Sequence, residues 1–227
     1  MKCHWLNKEN NKNLIVFFAG WSFDRCPFVK TGTDGYDILI VFDYNNLYVT
    51  NDLKDFSQYE NKTLICWSMG VFCAYLLKDL FNDFDYKIAI NGTTAPVDDK
   101  FGIPSKVFEL TLKHAAKGLE EKFYRNIFSA FEDYDLYTTC PVRRTIANRV
   151  SELENLYNLI KNTTIDYKKF YDTAIVSDYD KIIPPQNQIA SHKKNNVPII
   201  TVPCGHWVFY YFKNWDEIIK CCNTVNI

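Results

Sequence analysis

What this chain lacks narrows its class before any motif is considered. It has eight cysteines (Cys3, Cys26, Cys66, Cys73, Cys140, Cys204, Cys221 and Cys222), yet no C-x-x-C pair and no His/Cys cluster at zinc-ligand spacing. Without a secretion signal the expected state is reduced thiols packed as small hydrophobes. No apolar run approaches the length of a membrane span, and Met1 to Asn13 has no signal-peptide core, which predicts a cytoplasmic protein without a membrane partner. The net charge of −1 provides no bulk attraction to nucleic acid. Repeats and low-complexity tracts are missing as well. What is abundant is apolar and aromatic: 47% and 16% of 227 residues, enough to bury the core of one α/β domain and too much for a disordered chain.

The apolar residues fall into short, near-continuous runs: Leu14–Phe18, Ile38–Phe42, Thr63–Cys66, Tyr86–Ile90, Thr173–Ser177 and Pro198–Val202. Strands covered on both faces read this way, so the runs predict a mostly parallel sheet with helices on both sides. Between Gly92 and Tyr171 the rhythm stops. There the pattern predicts helical segments near Lys106–Lys117, Leu119–Phe131 and Ile146–Ile160 instead of strands. Some eighty residues far exceed an ordinary connection of about 4–6. The expected organisation is therefore a core of residues 1–94 and 166–227, with a helical lid, 95–165, inserted above the C-terminal edge of the sheet, where open α/β folds bind ligands.

The stretch Thr63-Leu64-Ile65-Cys66-Trp67-Ser68-Met69-Gly70 passes from a strand-type run into a helix-forming run, Met69 to Leu80. A nucleophilic serine at a sharp strand-to-helix turn needs small residues two places before and two after it. Gly70 meets the second requirement, and Cys66 stands where glycine is usual at the first. An activated serine also needs a base and an acid that orients the base. Of the four histidines, His206 follows the last strand run, the place a base takes when the chain order is Ser, Asp, His; His4, His114 and His192 do not. The acid belongs after the preceding strand, where Asp178 and Asp180 both lie, and spacing does not separate them. Two backbone amides should face the developing oxyanion: that of Met69, at the start of the elbow helix, and that of Trp21 in Phe17-Phe18-Ala19-Gly20-Trp21.

Several blocks together resemble the BioG family of pimeloyl-[acyl-carrier protein] methyl ester esterases, within the α/β-hydrolase superfamily. They are Phe17–Trp21, Trp67–Gly70, Asn91-Gly92-Thr93-Thr94-Ala95-Pro96-Val97-Asp98, Gly102-Ile103-Pro104 with Phe108–Leu112, Ser177–Pro184 and Gly205-His206-Trp207. The resemblance implies an α/β-hydrolase fold with Ser68 as nucleophile, His206 as base, and Trp21 and Met69 as oxyanion donors. It also implies Asp180 as the acid, because the family's acid lies four residues before the proline that is Pro184 here. The implied reaction is hydrolysis of the methyl ester of a carrier-bound pimeloyl chain to the free acid and methanol, in biotin synthesis, with no cofactor. The elbow alone leaves open a thioester or small diketone as substrate, which only the lid would discriminate; a non-catalytic carrier-binding module is the rival of another class, and the complete Ser/Asp/His set argues against it. For an acidic carrier protein meeting a monomeric enzyme, the basic residues Lys113, Lys117, Arg125, Arg143, Arg144 and Arg149 are the expected docking groups.

Overall fold

A computed structural model describes residues 1–33, 35–118, 122–128 and 130–223. In chain order the elements are β1 (Lys2–Asn7), β2 (Asn13–Phe18), β3 (Tyr36–Phe42), β4 (Asn61–Trp67), α1 (Met69–Leu76), β5 (Tyr86–Ile90), α2 (Ser105–Gly118), α3 (Lys122–Ile127), α4 (Phe131–Thr138), α5 (Ile146–Lys161), β6 (Thr173–Ser177), α6 (Pro185–Lys194), β7 (Ile199–Val202) and α7 (Trp215–Asn223). The seven strands form one sheet in the order β1-β3-β2-β4-β5-β6-β7, parallel throughout except for β1, which runs antiparallel to β3 at one edge.

Five of the six apolar runs lie wholly within strands of this sheet and the sixth, Pro198–Val202, is β7 with one preceding residue, for a simple reason. Alternate residues of each central strand point to opposite faces, and both faces are covered. Leu14, Val16, Phe18, Leu64 and Cys66 face a core shared with α1, α2 and α5. Ile15, Phe17, Ile65 and Trp67 face a second core shared with α3, α4 and α7. The second core is rich in rings: Phe17, Phe28, Trp67 and Phe209 meet largely edge to face. Each such pair adds about 0.5–1.5 kcal/mol beyond its buried area.

Three sequence expectations need adjustment. Strand β1 was not foreseen, because a half-exposed antiparallel edge strand has no need of an unbroken apolar run. The elbow helix ends at Leu76 instead of Leu80. Leu77 leaves helical geometry, its amide bonds back three residues to the Ala74 carbonyl, and a 3-10 turn over Lys78–Phe81 follows. The segment expected as one helix over Leu119–Phe131 contains α3 and the start of a separate helix, α4; residues 119–121 and Ser129 lie outside the described residues. Among the described residues no helix is long and apolar enough to cross a membrane.

Strand order also decides where a site can form. The chain lays β3 on one side of β2 and then returns to lay β4 on the other. At this switch point the C-terminal ends of β2 and β4 lie side by side, with Phe18 in register with Cys66, and the loops beyond them diverge to leave a crevice.

Candidate active site

Ser68 stands at the tip of that crevice, between β4 and α1, with φ +57° and ψ −126°. Non-glycine residues seldom adopt a positive φ, so this strain marks a turn that the surrounding packing enforces. Closeness of strand and helix explains the small residues around it. A Cβ on Gly70 would lie 2.3 Å from the Phe18 carbonyl oxygen, so no side chain fits there. Cys66 is fully buried on the face of the strand that packs against α1, where burial pushes its thiol far above the ordinary range; it packs as a small hydrophobe.

His206 arrives from the loop after β7. Its Nε2 is 2.9 Å from Ser68 Oγ, and its Nδ1 is 2.7 Å from Asp180 Oδ2. All three side chains are buried. The loop's placement is itself hydrogen-bonded: the Trp67 indole N–H and the Asn91 amide both donate to the His206 carbonyl, each at 2.9 Å. Asn91 also donates to Ser177 Oγ and accepts from the Ser177 amide, locking the ends of β5 and β6 to the histidine loop.

The two aspartates left open by spacing have separate environments. Asp180 Oδ1 accepts the amides of Ile182 and Ile183, and Oδ2 accepts His206 Nδ1 and Gln188 Nε2 at 2.8 Å. Asp178 is exposed, and its backbone amide is bonded to the Val202 carbonyl. Gln188 was not foreseen. It sits on α6, eight residues beyond Asp180, and nothing in the local pattern marks it.

A cavity of about 140 Å³ opens over Ser68 and His206. Trp21, Trp67 and Met69 form its floor; Val107, Phe108 and Thr111 of α2, Phe123, Asn126 and Ile127 of α3, and Leu153 of α5 line the rest, with Lys181 and Ile182 at one side. Trp21 and Met69 thus both border the serine, and within the described residues neither backbone amide has a hydrogen-bond partner. Of the six basic residues, Lys113, Lys117, Arg125 and Arg143 are exposed. Arg144 and Arg149 are not surface groups. Arg144 pairs with Asp43 and with Glu152, and Arg149 is 4% exposed with its guanidinium on the Tyr124 hydroxyl. Interior carboxylates and a phenol draw these two arginines inward, which their spacing in the sequence does not reveal.

The comparisons with known proteins converge on this architecture. A family model described as pimeloyl-ACP methyl esterase BioG matches residues 1–218. The chain belongs to that family. A crystal structure of BioG from Haemophilus influenzae superposes with a TM-score of 0.83 at 30% identity, covering 95% of this chain and 98% of that one. An uncharacterized protein of the same organism is 31% identical over 212 residues, 91% of this chain and 94% of its own length. A malonyl-[acyl-carrier protein] O-methyltransferase of Bacteroides fragilis is 32% identical over 187 residues; the match takes in 81% of this chain but only 37% of that relative's length. An aryl esterase structure from Burkholderia cenocepacia, at 14% identity and TM-score 0.65, shares the α/β-hydrolase fold.

The histidine that sequence position had set aside, His192, lies buried on α6. Its Nε2 meets the Gly92 carbonyl at 2.9 Å, and burial lowers its pKa to about 4. The unfolded chain would protonate it near pH 6.5. Between those values the unfolded state binds the extra proton, so this residue makes stability fall as pH drops from about 6.5 to 4 and leaves it unaffected above that window. The full difference is of order 3 kcal/mol. Urea unfolding of His192→Gln, whose amide can still reach Gly92, is expected to lose this part of the slope; equal slopes in both proteins would refute the assignment.

Proposed function

We propose that the protein is a serine carboxylesterase that hydrolyses the methyl ester of a pimeloyl chain carried on acyl carrier protein. The observation that carries this reading is the continuous line of hydrogen bonds from Ser68 Oγ through His206 to Asp180, set at the floor of an apolar cavity. In this mechanism His206 Nε2 accepts the hydroxyl proton as Ser68 Oγ attacks the ester carbonyl. Asp180 holds the Nδ1–H tautomer and stabilises the imidazolium. The tetrahedral oxyanion rests on the amides of Trp21 and Met69. Collapse expels methanol, which takes its proton from His206. Water, deprotonated by the same histidine, then attacks the acyl-enzyme; as the acyl–oxygen bond breaks, His206 returns that proton to Ser68 Oγ and the free acid is released.

In this reading residues 95–165 act as a lid on a core formed by 1–94 and 166–227. An apolar roof from α2 and α3 suits methylene groups near the reacting ester, and family membership points to the carrier-bound substrate. In the same reading the exposed Lys113, Lys117, Arg125 and Arg143 meet an acidic carrier. Incubation with methyl pimeloyl carrier protein, read by mass spectrometry, is expected to show loss of the methyl group. Cleavage of short soluble esters with the carrier-linked ester left intact would overturn the substrate assignment and leave the esterase chemistry standing.

A further inference from the structure

The turn after β2, residues 21–24, is hydrogen-bonded to the segment inserted after β5, one residue after another. The Trp21 indole N–H donates to the Arg149 carbonyl at 2.7 Å. Ser22 donates its amide to Glu152 Oε2 at 3.0 Å, and its hydroxyl shares a hydrogen bond with the Tyr124 hydroxyl at 3.0 Å. The Phe23 carbonyl accepts from Arg144, and the Asp24 carboxylate accepts the Arg143 amide. Glu152 is the hub. Fully buried on α5, its carboxylate takes in Ser22 N–H, Arg144 Nη1 at 2.8 Å and, on Oε1, Tyr44 N–H at 2.7 Å from the chain leaving β3.

We infer that Glu152 is a positioning residue: it fixes the turn that carries the Trp21 amide and so ties the oxyanion site to the inserted helices. This inference rests on the serine-esterase reading above. Glu152 does not border the cavity, whereas the next residue, Leu153, does. It acts through Ser22, whose φ of +73° is a backbone state that a serine does not hold unaided. The Trp21 ring is anchored on one side and the following peptide is bonded to Glu152 on the other, so the Trp21 backbone is held from both sides. Preorganised donors of this kind give an oxyanion site its strength, because none of the reorganisation falls in the reaction step. A buried ion pair is seldom the cheapest way to gain stability, since a well-packed apolar pair does as well. Holding a strained peptide in place requires acceptors of this geometry, which an apolar pair lacks.

The test compares wild type, Glu152→Gln and Tyr124→Phe with a short acyl ester and with a phosphonate ester that traps the serine as a tetrahedral adduct. Glutamine keeps the size but offers one acceptor oxygen for three donors. Its kcat is expected to fall about 10- to 100-fold, approaching the loss of an oxyanion donor, with KM within about two-fold. The trapping rate should fall in proportion, and the pH midpoint of kcat/KM should stay in place because His206 and Asp180 are untouched. Tyr124→Phe, which removes the hydroxyl beside Ser22, should shift kcat and trapping the same way by a smaller factor. A lowered melting temperature with wild-type kcat and trapping would overturn the inference and leave Glu152 a structural residue. If Glu152→Gln fails to fold, wild-type kcat and trapping in Tyr124→Phe overturn it instead. A wild type that the phosphonate does not label at Ser68 would sink the esterase reading itself, a distinguishable result.

Discussion

Ser68→Ala is expected to lower ester hydrolysis by about 10⁵- to 10⁶-fold, the scale seen when a serine nucleophile is removed from a complete triad. The variant should fold. Alanine meets the same steric cost as serine at a φ of +57°, and the hydroxyl's hydrogen bond is to His206 Nε2. What remains should be a weak activity from the oxyanion donors and binding alone. The measurement is turnover of a short ester, with circular dichroism to verify folding. Full activity in this variant would remove Ser68 from the mechanism. Cys66 could not replace it, because that thiol is fully buried and held protonated.

The second large effect is expected at Asp180. Four donors converge on this carboxylate: two backbone amides on one oxygen, Gln188 and His206 on the other. An asparagine has one acceptor oxygen. If it faces Ile182 and Ile183, its NH₂ points at the Nδ1–H of His206, and the imidazole must adopt the wrong tautomer to avoid the clash. Loss of the orienting aspartate in a serine triad lowers kcat by about 10⁴-fold, and Asp180→Asn should approach that with little change in KM. Asp178→Asn is the control, since Asp178 is exposed and away from the imidazole, and its kcat should stay within about two-fold of wild type. Equal losses in the two variants would disprove the assignment of the acid.

These two aspartates show where sequence reading ends. Both stand in one turn, two residues apart, and any argument from order or spacing serves either. The choice is made by geometry that spacing does not carry: the loop after β7 brings His206 from 26 residues away, α6 brings Gln188, and the turn itself aims the amides of Ile182 and Ile183 at Asp180. The basic residues of the insertion teach the same lesson. Arg143 and Arg144 are adjacent, yet one is exposed while the other is drawn onto Asp43 and Glu152. Charge clustering counts both as surface groups because it carries no information about what lies beneath.

Periodicity and local chemistry were enough for a parallel sheet, a long helical insertion, a strained strand-to-helix serine and a histidine beyond the last strand. Those features depend on residues close in the chain, where backbone sterics and the alternation of side chains act directly. Edge strand β1, the selection of Asp180, the support from Gln188 and Asn91, and the hold of Glu152 on the Trp21 turn depend on contacts between residues up to 130 positions apart. Such contacts exist only once the sheet has its strand order, and the reversal at β2 and β4 is what brings their partners together.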